Sequence, residues 1–143
     1  MSGFLLDVNV VIALIDPSHV HHDRAHAWFA SSGRTDWLSC PMTENAVVRV
    51  VSHPRYSNSQ PPPVVMDSLH SLAAVGHHRF IPDMISILDR RIVDRTALLS
   101  SGQVTDTYLL ALAKHHQASL ATFDTRLVST AVRSSTDHLL HVP

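Results

Sequence analysis

The chain has 143 residues, 45% of them hydrophobic and only 16% charged, with a single cysteine. A chain this apolar buries a full core, which excludes disorder as its main state, and Cys40 alone excludes a disulfide-stapled scaffold or a multi-cysteine zinc ribbon and points to a reducing cytoplasm. Eleven Lys+Arg against twelve Asp+Glu give a net charge of −1, so nucleic acid would not be held by bulk positive charge, only by placed arginines.

Phe4 to Ile15 is an apolar run, yet no cation precedes it and Asp7 interrupts it. Asp16-Pro17 ends it without a small-residue cleavage site, so it reads as folded structure rather than a signal peptide. It is also short of the roughly 20 apolar residues a membrane span requires. Within it, residues 4–6 form a strand that stops at Asp7, and 8–15 a helix. A second helix spans 19–31, with Ala25, Trp28 and Phe29 on its apolar side, and a strand follows at 37–40. Pro41 opens a helix through about residue 51, closed by His53-Pro54. Residues 57–63 form a loop, and Pro63 fits the first turn of a helix to about residue 75. A strand at 79–81 stops at Pro82. Helices are expected at 89–100 and 105–116, separated by Gly102, then a strand at 120–123, a helix at 126–133 and a closing strand at 139–142.

Brief strands, apolar on both sides and alternating with helices, indicate an α/β fold. The expectation is a three-layer α/β/α sandwich with a short, mainly parallel central sheet. The 57–63 loop would leave pieces too small to stand alone, so residues 1–143 are read as one domain.

Four acids sit where water should not easily reach. Asp7 lies at the carboxyl end of the first strand, and Asp124 holds the same place after Leu120-Ala121-Thr122-Phe123. Glu44 shares a helix face with Val47, Val48 and Val51, and Asp106 with Leu109, Leu110 and Ala113. The other acids, Asp16 among them, fall in loops or on polar faces. Open parallel sheets bind ligands outside the carboxyl ends of their strands. Like charges about 5 Å apart there repel by roughly 3 kcal/mol per pair at an effective dielectric of 20. Such a cluster takes up protons or binds a hard divalent ion, Mg2+ or Mn2+. Singly, each acid also has a plain structural role. Asp106 suits a helix first turn behind Thr105 as N-cap, Asp124 and Asp7 suit helix caps, and Glu44 suits the dipole of its first turn. Jointly those roles explain less, because all four flank apolar runs at one predicted edge.

Leu5-Leu6-Asp7-Val8-Asn9-Val10, Glu44 after Cys40-Pro41-Met42-Thr43, the run from Val104-Thr105-Asp106 to Ala113, and Leu120-Ala121-Thr122-Phe123-Asp124 together resemble a PIN domain. The chain is most similar to the VapC toxins of bacterial toxin–antitoxin pairs, over essentially its whole length. The resemblance implies a Mg2+-dependent endoribonuclease, with Mn2+ a possible substitute, acting on tRNA or rRNA in the cytoplasm. The matching catalytic acids are Asp7, Glu44, Asp106 and Asp124. Asp7, Asp106 and Asp124 would hold the metal, and Glu44 would orient or deprotonate the attacking water. Asn9 and Thr105 would hold ligands and waters from behind. The resemblance also implies a cognate antitoxin of VapB type that occupies the acidic cleft, and a homodimer. Thr107 stands where many relatives have Ala, with no expected effect on metal binding.

Arg49, Arg55 and Arg126, close to the acid-bearing elements, are candidates for gripping an RNA backbone. His22 and His26 are one helical turn apart, but a zinc site needs three or four converging ligands, so they read as solvated surface. Trp28 and Trp37 read as core. Two other classes share parts of this pattern. A receiver-like or phosphatase-like Mg2+ domain would need a strand-end lysine or a second acid in D-x-D. Lys114 lies late in a helix, and Asp7-Val8-Asn9 lacks that acid. A non-catalytic binding protein is the other, and metal-dependent RNA cleavage separates them.

Overall fold

The computed structural model describes residues 3–143. Five short strands run β1 (Phe4–Leu6), β2 (Trp37–Ser39), β3 (His78–Phe80), β4 (Ser119–Thr122) and β5 (Leu139–His141). They form one sheet in the order β3-β2-β1-β4-β5, and every neighbouring pair is parallel. The strand order reverses between β1 and β4, which makes the gap beyond their carboxyl ends the topological switch point.

Parallel strands buried on both faces must be apolar on both sides, and β1 shows how. Leu6 faces a cluster built on α1 (Val8–Ile15), α2 (His22–Ser31), α3 (Pro41–Val51) and α4 (Pro62–Ala73). Leu5 faces the opposite cluster, with Leu38 and Leu120 under α5 (Val104–His115). The α/β sandwich is therefore four helices on one face and α5 on the other. Trp28 and Trp37 both lie in the first cluster, at 6% and 2% exposure. At the turn from α4 into β3, Gly76 has φ +66°, and a Cβ there would stand 2.1 Å from the Arg34 carbonyl oxygen. Only glycine fits this position.

The expected helices at 89–100 and 126–133 do not form. Those segments are turns and irregular chain, with a single 3-10 turn at Arg95–Ala97, and another follows at Ser101–Gln103. Asp89 and Asp94 accept from the backbone N–H groups of Arg91 and Thr96, local bonds that compete with a helix. The two segments instead pair through Val93 and Val132, with Asp94 N–H donating to Ala131 and Arg133 N–H to Ile92. The second helix begins at His22, not 19.

On the α1 side the two histidines gain partners and the reading of Asp16 is corrected. His22 Nδ1 and His26 Nε2 donate to the carbonyls of Ala13 and Leu14, at 2.7 and 2.8 Å. These rings close the open end of α1 while His26 stays exposed and His22 partly so. Asp16 is 4% exposed and accepts from Tyr56 OH, Asn58 and the Ser18 N–H, so it pins the 52–60 loop to α1.

Candidate active site

β1 ends at Asp7 because its carboxylate turns to cap α1. Asp7 Oδ1 accepts from the Val8 N–H at 2.7 Å. The structural role read from sequence is therefore real, but it accounts for only half the group. Oδ2 accepts from the Thr122 hydroxyl at 2.8 Å, and Asp7 is 6% exposed. Thr122 lies at the end of β4, fully buried. Its oxygen also accepts from Asn9 Nδ2 at 3.2 Å and from the Asp124 N–H at 3.0 Å. Asn9 Oδ1 in turn accepts from the Phe123 N–H at 3.2 Å. One hydroxyl thus joins the ends of β1 and β4. Sequence reasoning missed Thr122; the available signal was a hydroxyl in the L-A-T-F-D run, one residue from the core and two before an acid.

Asp124 carries no helix behind it. Its Oδ1 accepts from the Arg126 N–H at 2.9 Å in a local turn, and the Arg126 guanidinium stands 3.6 Å away. Asp106 lies in the first turn of α5. The residue before that helix is Gln103, not Thr105, which is exposed in the first turn and caps nothing. Asp106, Asp124, Arg126, Gly102, Leu127 and Val128 line an open cleft of about 270 Å3.

Two of the three aspartates feel the charge of their neighbours. Burial pushes the Asp7 carboxyl above its ordinary range, against the bonds from Thr122 and Val8, and the Asp124 charge adds to the rise. Asp106 is raised to about 6, first by burial and then by the charges of Asp7 and Asp124. They share a field without yet sharing a coordination point: among the described residues no three His, Cys, Asp or Glu side chains are gathered closely enough to hold a metal ion. The donor set is nevertheless oxygen only, mutually repelling and half-desolvated, which fits a hard divalent cation.

Glu44 stands apart from these three. Burial raises its pKa, opposed by the charge of His70 and a hydrogen bond with Ser39; none of the three aspartates acts on it. It borders a cavity of about 480 Å3 between α3 and α4, with Val48, Met66, His70 and Phe80. Arg49 and Arg55 are exposed at the far end of α3, whereas Arg126 is on the cleft wall. Lys114 sits in the last turn of α5 and donates to the Arg133 carbonyl, far from a strand end.

The family model "PIN domain" matches residues 4–133. The chain is 44% identical over 132 residues to "Ribonuclease VapC44" of Mycobacterium tuberculosis, covering 92% of this chain and 93% of that protein. It is 38% identical over 130 residues to "Ribonuclease VapC38" of the same organism, covering 89% of each. Among solved structures, FitAcB from Neisseria gonorrhoeae superposes with a TM-score of 0.61 at 24% identity, over 85% of this chain and 88% of that one. Mycobacterium tuberculosis VapC20 superposes with a TM-score of 0.58 at 9% identity, over 89% and 98%. These last two speak for the fold.

Proposed function

From the premise that this chain belongs to the PIN-domain family, as an endoribonuclease toxin of VapC type, we propose that it hydrolyses RNA at the cleft between β1, β4 and α5, using Mg2+ held by Asp7, Asp106 and Asp124. The observation that supports this most is the convergence of three carboxylates from separate elements at the switch point of the sheet, where burial and then the Asp124 charge raise Asp7 and Asp106. A bound divalent ion would offset that repulsion and supply an activated water and a polarised phosphate.

The chain's own groups have distinct tasks. Thr122 and Asn9 fix Asp7 and the backbone entering Asp124, so the carboxylates are set before RNA arrives. Arg126, on the cleft wall, grips a phosphate oxygen, with Arg49 and Arg55 as outer contacts. Thr105, exposed beside Asp106, holds water. Glu44, outside the aspartate field, takes the proton from the attacking water rather than binding metal. Structured cellular RNA, tRNA or rRNA, is the proposed substrate class, with Mn2+ able to replace Mg2+.

We further propose a cognate antitoxin of VapB type that lays an arginine among the carboxylates; the Arg126–Asp124 pair illustrates the contact chemistry. A homodimer and a cytoplasmic location complete the reading. No described helix is long and apolar enough to cross a membrane. Induction of the chain alone in a permissive bacterium, with RNA ends mapped at once, tests it. The expected result is growth arrest with discrete new 5′-phosphate ends, absent for Asp7→Asn. Equal harmlessness of both would overturn the reading.

A further inference from the structure

The backbone that enters Asp124 is gripped from two sides. On the sheet side it is held by Thr122 and Asn9. On the α2 side the Phe123 ring is stacked on His21, with centroids 4.7 Å apart and planes at 24°. The Arg24 guanidinium carbon lies 5.1 Å from the centre of the same ring. Arg24 is itself held at all three of its nitrogens. Its Nη1 donates to His21 Nδ1 at 3.0 Å, its Nε to the Pro143 carbonyl at 3.3 Å and its Nη2 to the Val142 carbonyl at 3.2 Å. One cation therefore ties together α2, the strand end of β5 and the residue before Asp124. Three of the five guanidinium N–H donors are spent inside the protein, which fixes the direction of the group although it is exposed.

We propose that Arg24 is a positioning residue for the nuclease reaction, acting through His21 and Phe123 to fix the direction in which Asp124 enters the cleft. This rests on the reading of Asp124 as a group of the active site. Nothing in the acid pattern points to α2, because Arg24 reaches the site only through stacking.

The planar fork matters as much as the charge. Two carbonyls, one imidazole and one ring face are met at once by a rigid, delocalised cation. Glutamine keeps a donor but loses the fork and the attraction to the ring. Leucine at 123 keeps volume but offers no face to either partner, whereas tyrosine keeps the face.

The experiment uses the full chain with Mg2+ and a short RNA that it cleaves. Arg24→Gln and Phe123→Leu should lower kcat by about tenfold with KM for RNA within about threefold, and Phe123→Tyr should stay within about threefold of the parent in both. Hydrogen exchange at the Asp124 amide, which donates to Thr122, should become faster in Arg24→Gln without added metal or RNA. In an Asp124→Asn background, Arg24→Gln should add no further loss. A rise in KM that steepens with salt, with kcat unchanged, would make Arg24 an RNA contact and overturn the proposal. So would an equal loss in both backgrounds that follows the folded fraction. Full cleavage by Asp124→Asn would overturn the site reading beneath it; an inactive Asp124→Asn beside an unaffected Arg24→Gln would overturn the positioning role alone.

Discussion

The Thr122 hydroxyl donates to Asp7 Oδ2 at 2.8 Å across 115 residues of sequence, and both groups are buried. This bond holds one carboxylate in place while the same oxygen accepts from Asn9 and from the Asp124 N–H. Thr122→Val keeps the shape and removes every partner at once. It should cost about 1–3 kcal/mol in denaturant unfolding, the scale of leaving buried polar groups unsatisfied. Cleavage per folded molecule should fall as well, and Thr122→Ser should restore both. A silent Thr122→Val would show that Asp7 is held by its helix cap alone.

The acid pair on α5 and β1 makes a pH prediction. Asp106 titrates at about 6 in the folded chain against an ordinary 3.8, so between those values the folded chain binds more protons than the unfolded one. Stability from this group is therefore greatest below its unfolded pKa and is lost as pH rises through about 6. With divalent ions chelated, Asp106→Asn should be the more stable chain at about pH 7.5, and that advantage should shrink toward about pH 4. Added Mg2+ should raise the Tm of the parent and leave Asp106→Asn unmoved. Thermal unfolding over pH, with and without the ion, measures both effects.

Glu44 should behave unlike the aspartates, because its field comes from Ser39 and His70 rather than from them. We expect Glu44→Gln to keep Mg2+ affinity within a few fold while losing about 10²-fold in cleavage, the scale of a positioned base. Calorimetric Mg2+ titration beside single-turnover cleavage separates the two roles. A loss of Mg2+ binding as deep as that of Asp7→Asn would make Glu44 a ligand.

How far the sequence could be read depended on what held each segment. The strands and α3, α4 and α5 were legible because their apolar periods agree with their burial, as in Val47 and Val51 or Leu109 and Leu110. The segments at 89–100 and 126–133 carry similar apolar content, but their order comes from each other. Val93 meets Val132, and Asp89 and Asp94 satisfy nearby backbone N–H groups. No local period records such a pairing. The carboxylates were legible by position, since strand-end acids stand out against Leu6 and Phe123. Thr122, Arg24 and the histidines were not, because hydroxyls, guanidinium groups and imidazoles acquire their partners only when distant elements meet.

Asp16 illustrates the same limit and gives a structural control. Burial raises its pKa, but hydrogen bonds from Tyr56, Asn58 and Ser18 outweigh it and hold the carboxyl below its ordinary value. Its contribution is present above the unfolded pKa and is lost as pH falls through the lower folded one. Tyr56→Phe should therefore cost about 1–3 kcal/mol near neutral pH, as for a hydrogen bond to a charged group, and less in strong acid. Cleavage per folded molecule should not change. A Tyr56→Phe chain that folds normally yet cleaves poorly would place the 52–60 loop in the reaction.

The proposed reaction has Asp7, Asp106 and Asp124 act together through one divalent ion. Its most direct measurement is single-turnover cleavage of an RNA by the purified chain as Mg2+ is titrated, run beside Asp7→Asn with its folding verified by circular dichroism. Cleavage should require the ion and fall by at least about 10³-fold in Asp7→Asn, with fold and Tm preserved or improved. Cleavage that survives chelation, or a folded Asp7→Asn chain as active as the parent, would contradict it.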